Sequence, residues 1–197
     1  MKSEDQQKLA EALVFALEKH GPQTRKGKSE VPYVSHLLAV SGYVLEHGAG
    51  DVNLAVAGML HDVIEDCKVK DDELRERFGD EVARIVRSCT DTLPGDPSRD
   101  ESPWRERKEN YLAALAKKDR AAQIVSSCDK VHNLQNILAD MRVEGVEFLT
   151  RFNASPKEML WYYRGVRSAL RPDLPAALLG ELDALVTAFE HAVAPAS

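Results

Sequence analysis

The sequence predicts an all-α protein, a helical bundle of about 8–10 helices. Apolar residues recur at the three- and four-residue spacing of an amphipathic helix along almost the whole chain. The alternation of apolar and polar residues that marks a half-buried strand is missing, and so are hairpin turn signals. With 197 residues, of which 44% are hydrophobic, the chain is long enough for one well-buried core. We therefore expect a single domain over residues 1–197.

Each helix is predicted from its apolar face and from the residues that interrupt it. In the first helix, Leu9, Leu13 and Leu17 lie on one face. Segments rich in Gly, Pro, Asp or Ser separate one helix from the next. The predicted helices are 4–20, 33–47, 51–66, 71–78, 80–89, 104–117, 121–140, 145–151, 156–170 and 175–192. The longest break, 93–103, has the length of a lid or a binding segment.

Composition and charge argue against several classes of protein. The 26 basic and 32 acidic residues give a net charge of −6, which is unfavourable for coating nucleic acid, so we predict no nucleic-acid partner. No apolar run approaches the roughly 20 residues that span a bilayer, and the N-terminal segment lacks the pattern of a secretory signal. The 3 cysteines include no C-x-x-C pair, which is typical of reduced thiols. We expect a cytoplasmic protein without a membrane partner.

The segment AVAGMLHDVIEDC, residues 55–67, places charged groups directly after an apolar run. If one helix continues through it, His61 and Glu65 are four residues apart and become neighbours. Asp62 and Asp66 have the same spacing. Carboxylates at a helix C-terminus are unfavourable because the helix dipole is negative there, and a bound cation would reverse that effect. The alternative interpretation is a solvated acidic turn that ends a core helix.

Two other segments offer further metal ligands. His36 lies among apolar neighbours in VPYVSHLLAV, and Asp129 lies in a predicted helix where an unpaired carboxylate would be costly to bury. His36 could equally be a core histidine whose hydrogen bonds are satisfied. With His61 and Asp62 the two residues would form a mixed set of nitrogen and oxygen ligands. Such a set suits Mn²⁺, Fe²⁺ or Mg²⁺ better than a thiolate-preferring ion.

Taken in order, these segments resemble a known family. His36, then His61 and Asp62, then Asp129 follow the H…HD…D pattern of the HD-domain metal-dependent phosphohydrolases. TRKG before PYVSH, followed by HDVIED and DKVHNL, is similar to the hydrolase domain of the Rel/SpoT-type small alarmone hydrolases. The resemblance implies an HD fold with the metal and catalytic segments within 24–135. Residues 144–197 would complete the core as helices.

The resemblance also implies a reaction and a set of roles. The reaction is removal of the 3′-pyrophosphate of guanosine tetra- or pentaphosphate, which gives GDP or GTP, so the partner is a phosphorylated purine nucleotide. One Mn²⁺, or Fe²⁺ or Mg²⁺ in its place, would be held by four side chains: His36, His61, Asp62 and Asp129. Two acidic residues would act on the attacking water and the phosphate: Glu65 and Asp66. Three residues would contact the nucleotide: Arg25, Lys26 and Asn133.

A second basic patch lies in WRERKENYL, residues 104–112, beside the long break. Arg105 and Lys108 share a helix face there, and we include Lys108 among the candidate substrate-binding residues. The alternative for Arg25 and Lys26, in TRKGK, is an ordinary solvated basic loop.

Two other functions stay open on the sequence. One is a different HD phosphohydrolase that acts on an adenosine alarmone, a nucleoside monophosphate or the 2′-phosphate of NADPH. The other is a non-catalytic nucleotide-binding module, which the intact pair of Glu65 and Asp66 argues against. The segment after Cys89 lacks the Thr-Lys-Leu signature of the long alarmone enzymes, so the sequence does not fix the nucleobase.

Overall fold

The structure, a computed structural model, describes residues 1–25, 28–90 and 103–194. In that part the chain forms ten α-helices, one 3₁₀ helix and two short strands. The α-helices are α1 Ser3–His20, α2 Val34–His47, α3 Val52–Met59, α4 Val63–Cys67, α5 Asp71–Phe78, α6 Asp80–Cys89, α7 Trp104–Leu115, α8 Arg120–Glu144, α9 Pro156–Ala169 and α10 Ala176–Val193. The 3₁₀ helix is Val146–Arg151, and the strands are β1 Thr24–Arg25 and β2 Lys28–Pro32. The all-α prediction is confirmed.

The two strands form where the sequence predicted only a break between helices. β1 and β2 pair antiparallel, with Thr24 opposite Pro32 and Arg25 opposite Lys28. β1 has only two residues, and the sequence of β2, KSEVP, does not alternate between apolar and polar residues, so neither strand gives a recognisable period. The pairing holds Arg25 close to Tyr33, whose ring centroid lies 5.8 Å from the guanidinium carbon.

The predicted helix 51–66 is wrong in one respect, because the structure divides it in two. α3 ends at Met59 and α4 begins at Val63, so that His61 and Asp62 lie in the turn between them. Nδ1 of His61 donates to the carbonyl oxygen of Gly58 at 2.8 Å. In an unbroken helix that carbonyl would accept from the backbone amide of Asp62. The imidazole therefore takes over a helical hydrogen bond at the point where the helix ends.

The core is centred on α3, in which every residue from Leu54 to Met59 is buried. α1, α2, α6 and α8 pack around it, as expected of a helix that is apolar over its whole circumference. Gly58 allows α2 to approach closely, since a Cβ there would lie 3.0 Å from a methyl carbon of Val44. α2 and α8 also pack on each other. No helix in the described ranges is both long and apolar enough to cross a membrane.

Candidate metal centre and adjoining cavities

Three side chains from three elements meet at buried positions in the core. His36 lies in the first turn of α2, His61 in the turn after α3 and Asp129 within α8, and their exposed fractions are 1%, 4% and 6%. One ligand atom from each lies within 4.8 Å of the other two. Oδ1 of Asp129 is 3.2 Å from Nε2 of His36 and 3.7 Å from Nε2 of His61. These distances leave room for one metal ion between the three groups.

Asp62 lies at the edge of this cluster. Its Oδ2 is 3.0 Å from Nε2 of His61 and 4.0 Å from Nε2 of His36. The same oxygen accepts a hydrogen bond from the hydroxyl of Tyr33. The structure thus brings the four predicted metal ligands together, three as a compact cluster and Asp62 beside it.

The hydrogen bonds of His61 indicate that a cation fits here. Because Nδ1 donates to a carbonyl oxygen, Nε2 of the neutral ring carries a lone pair. Among the described residues that buried Nε2 has no hydrogen-bond partner, yet it faces the carboxylates of Asp62 and Asp129. A lone pair facing carboxylates is unfavourable unless a proton or a metal ion lies between them. The donor set therefore fits a divalent ion.

The ionisation of the cluster is consistent with this fit. Burial lowers the pKa of His61, but Asp62 and Asp129 outweigh it and hold that pKa well above the ordinary value. Burial raises the pKa of Asp129, while the Lys130 ammonium and the two histidines bring it well below its usual range. The pKa of Asp62 is also lowered, by His61 against the effect of burial. Both carboxylates are ionised at neutral pH and can bind a cation.

Two adjoining cavities lie next to the cluster. The inner cavity has a volume of about 160 Å³, and its wall includes His61, Asp62, Glu65 and Asp129. The outer cavity has a volume of about 440 Å³, and its wall includes Gln23, Arg25, Asp66, Asn136 and Phe152. Four residues line both cavities: Tyr33, Lys108, Lys130 and Asn133. Glu65 and Asp66 are thus neighbours in sequence that face different cavities.

The part of the chain that carries the candidate ligands matches a known family. Residues 12–148, more than half of the chain, match the HD domain. The chain belongs to the HD-domain family. Membership implies a divalent metal ion, and the cluster of His36, His61 and Asp129 can hold one.

Several relatives of this HD domain are alarmone hydrolases by name. The guanosine-3′,5′-bis(diphosphate) 3′-pyrophosphohydrolase MESH1 of Homo sapiens is 36% identical over 133 residues, which are 66% of this chain and 69% of that protein. Its counterpart in Xenopus tropicalis is 34% identical over 139 residues, covering 68% of this chain and 72% of that one. The resemblance to the Rel/SpoT-type hydrolases is confirmed.

Two solved structures show the same architecture over most of the chain. A metazoan ortholog of SpoT, described as hydrolysing ppGpp and acting in starvation responses, superposes with a TM-score of 0.73 at 29% identity. The match covers 91% of this chain and 94% of that one. A protein of Listeria monocytogenes EGD-e gives a TM-score of 0.66 at 28% identity and covers 80% of this chain and 97% of that one.

The HD domain brings the predicted nucleotide-contacting residues to the outer cavity. Nη2 of Arg25 donates to Oδ1 of Asn133 at 3.0 Å, and the amide of Asn133 donates in turn to Asp129. The Lys108 ammonium lies 4.9 Å from the ring centroid of Tyr162, which lines the same cavity. Lys26 lies outside the described residues, and so do residues 93–102 of the predicted binding segment.

Three residues that the sequence analysis did not single out also contact the site. The hydroxyl of Tyr33 donates to Asp62, and Nζ of Lys130 lies 2.6 Å from Oδ2 of Asp129. Tyr33 belongs to the motif segment PYVSH and Lys130 to DKVHNL. Their positions in the sequence, close to the candidate ligands, could therefore have identified both as site residues. Gln23 carried no such signal, and its Nε2 donates to Oδ2 of Asp66 at 2.9 Å.

The stabilising effect of a metal ion on this HD domain should increase with pH. Because the folded-state pKa of His61 is raised, the proton on His61 stabilises the metal-free protein at low pH. That contribution is complete below the unfolded-state pKa of about 6.5 and is lost as the pH rises through the folded-state value. A bound ion replaces the proton. The Tm values with and without Mn²⁺ should therefore diverge as the pH rises above about 6.5 towards the raised pKa of His61, and a constant or narrowing difference would contradict this.

Proposed function

We propose that this protein hydrolyses the 3′-pyrophosphate of guanosine tetra- or pentaphosphate, giving GDP or GTP and pyrophosphate. The observation that carries the proposal is a buried cluster of metal-binding type beside two cavities with a cationic shared wall. The names of the human and Xenopus relatives, which describe this reaction, support it.

The wall shared by the two cavities supplies charge for the phosphates. The ammonium groups of Lys108 and Lys130 lie 5.5 Å and 4.9 Å from the ring centroid of Tyr111. Lysine binds phosphate as a compact point charge. We assign the 3′-pyrophosphate to this wall, with its reacting phosphorus in the inner cavity.

The outer cavity has the size and lining that a nucleoside requires. Its volume of about 440 Å³ lies within the usual range for small-molecule sites. Aromatic side chains line it together with the guanidinium of Arg25: Tyr33, Phe148, Phe152, Tyr162 and Tyr163. Rings and a planar guanidinium stack on a purine. Arg25 and Lys26 are the proposed contacts to the base and the distant phosphates, and Asn133 is the proposed contact to the sugar and phosphate region.

Glu65 and Asp66 are the proposed catalytic acids. Glu65 lines the inner cavity, where its carboxylate can orient and deprotonate the attacking water. Asp66 lines the outer cavity and accepts from Gln23. Burial and the neighbouring Asp62 raise its pKa, which suits a group that holds a proton during part of the cycle. A divalent ion bound by His36, His61, Asp62 and Asp129 would polarise a phosphoryl oxygen and lower the pKa of a water molecule.

The chemistry of the donor set favours Mn²⁺, with Fe²⁺ and Mg²⁺ as alternatives. Imidazole nitrogens combined with carboxylate oxygens are intermediate between hard and soft ligands. Cys89 lines the inner cavity, but burial raises the pKa of its thiol, and among the described residues the cluster of metal-ligand atoms does not include it.

A comparison of substrates tests the proposed function. With Mn²⁺ present, guanosine tetraphosphate should be turned over in preference to the corresponding adenosine compound, NADPH and nucleoside 5′-monophosphates. Turnover of NADPH or a monophosphate without turnover of any 3′-pyrophosphorylated nucleotide would assign the protein to another HD phosphohydrolase activity. Binding of all these nucleotides without turnover would indicate a non-catalytic module.

A further inference from the structure

A chain of polar side chains leads from His36 away from the metal cluster. Nδ1 of His36 lies 2.7 Å from Nδ1 of His132. On its other side, Nε2 of His132 lies 3.0 Å from Nδ2 of Asn136. His132 and Asn136 follow Asp129 on α8. α8 therefore carries the candidate ligand Asp129 and also the two side chains that hold the ring of His36, a candidate ligand on α2.

The directions of the hydrogen bonds in this chain assign one proton to each ring. Nδ2 of Asn136 also donates to the backbone carbonyl of His132 at 2.8 Å, so the amide turns its nitrogen, a donor only, towards Nε2 of His132. That Nε2 must accept, which leaves the proton of His132 on Nδ1 and makes Nδ1 the donor to His36. His36 then accepts at Nδ1 and carries its own proton on Nε2, 3.2 Å from Oδ1 of Asp129.

This arrangement cannot bind a metal ion through His36. Nε2, the atom that faces the cluster, holds a proton, whereas a metal-binding imidazole nitrogen needs a lone pair. A metal-binding histidine normally donates from its other nitrogen to an acceptor. Nδ1 of His132 contacts this other nitrogen of His36. When the ion is bound, Nδ1 of His132 must therefore accept a hydrogen bond, and the proton of His132 must lie on its other ring nitrogen.

We propose that His132 and Asn136 are positioning residues that set the tautomer of His36 for metal binding. When an ion binds at Nε2, the proton of His36 lies on Nδ1 and is donated to Nδ1 of His132. The proton of His132 then lies on Nε2, and Asn136 turns its amide so that Oδ1 accepts it. Each ring holds one proton before and after, so the exchange is balanced. The inference rests on the proposed role of His36 as a metal ligand.

Two variants of His132 separate the tautomer role from simple packing. His132→Phe keeps a ring but removes the acceptor, and should weaken the binding of Mn²⁺ by about 10- to 100-fold, the usual effect of losing such a partner. His132→Gln offers an amide oxygen that can accept from His36 and should bind Mn²⁺ within about 3-fold of the original protein. His191→Phe, at an exposed position of α10, is the matched control and should bind unchanged. Competition with a chelator, without nucleotide, measures each affinity.

Equal Mn²⁺ affinity in His132→Phe and the unaltered protein would overturn the proposal, and so would equal losses in His132→Phe and His132→Gln. A second measurement uses the unaltered protein and does not depend on how a variant folds. With ¹⁵N-labelled histidine and Zn²⁺ as a diamagnetic probe, NMR should show the proton of His132 moving from Nδ1 to Nε2 when the ion binds.

A proton that stays on Nδ1 of His132 in the zinc-bound protein would also overturn the proposal. Neither measurement contains a nucleotide. A failure here therefore leaves the proposed hydrolase activity untouched, and a failure to hydrolyse guanosine tetraphosphate leaves the tautomer result intact.

Discussion

Replacing Asp129 by alanine is expected to abolish metal binding and turnover together. Its Oδ1 is the carboxylate oxygen that lies near Nε2 of both His36 and His61, and it is the only candidate ligand that α8 contributes to the cluster in the described ranges. Loss of a group that merely supports a ligand costs about 10- to 100-fold in metal affinity, so loss of a ligand should cost about 100-fold or more. Metal analysis and turnover on one sample measure both effects.

The matched control for this change is Asp183→Ala. Asp183 lies on α10, where it pairs with Arg167 at the surface, and its loss should leave metal content and turnover unchanged. In the Asp129→Ala variant, added Mn²⁺ should no longer raise the Tm. Full metal occupancy in that variant would show that Asp129 is not a ligand.

Glu65→Gln should lower kcat by about 100-fold or more while metal and nucleotide remain bound. The substitution keeps the shape of the side chain in the inner cavity and removes the charge that orients and deprotonates the attacking water. Asp66→Asn removes the carboxyl group in the outer cavity whose raised pKa suits it to hold a proton during the cycle, and it should also lower kcat by about 100-fold or more. Single-turnover rates and nucleotide affinities, measured separately, distinguish lost chemistry from lost binding.

Glu73→Gln serves as the control for Glu65→Gln. Glu73 lies on α5 and pairs with Lys19 at the surface, so this variant should hydrolyse at the unaltered rate. An unchanged kcat in the Glu65→Gln enzyme would contradict a catalytic role for Glu65. It would support the alternative interpretation, in which Glu65 belongs to a solvated acidic turn at the end of a core helix.

The apolar period was sufficient to predict most of the helices, because burial of one face determines where each helix lies. It could not predict the end of α3, which depends on a contact between the ring of His61 and the carbonyl of Gly58. Because a side-chain hydrogen bond ends this helix, the apolar pattern of the sequence continues without interruption up to the break. The β1–β2 pair was missed for a different reason, since β1 has only two residues and the sequence of β2, KSEVP, does not alternate between apolar and polar residues.

The site could be predicted from its motif segments but not from periodicity. Arg25 and Asn133 are 108 residues apart in the chain and form a direct hydrogen bond, a contact that no local pattern indicates. The resemblance named both residues, and the structure places both at the outer cavity. The role of each residue stays a prediction, and so does the single domain over 1–197.

The most direct test of the account is to identify the products formed from guanosine tetraphosphate. In ¹⁸O-labelled water with Mn²⁺, ³¹P NMR should show GDP and pyrophosphate in equal amounts, with the label in pyrophosphate, since water attacks phosphorus and the ribose 3′-oxygen leaves. Orthophosphate as the first product, or label in the nucleotide, would contradict the assignment of the two cavities to a 3′-pyrophosphate and its nucleoside.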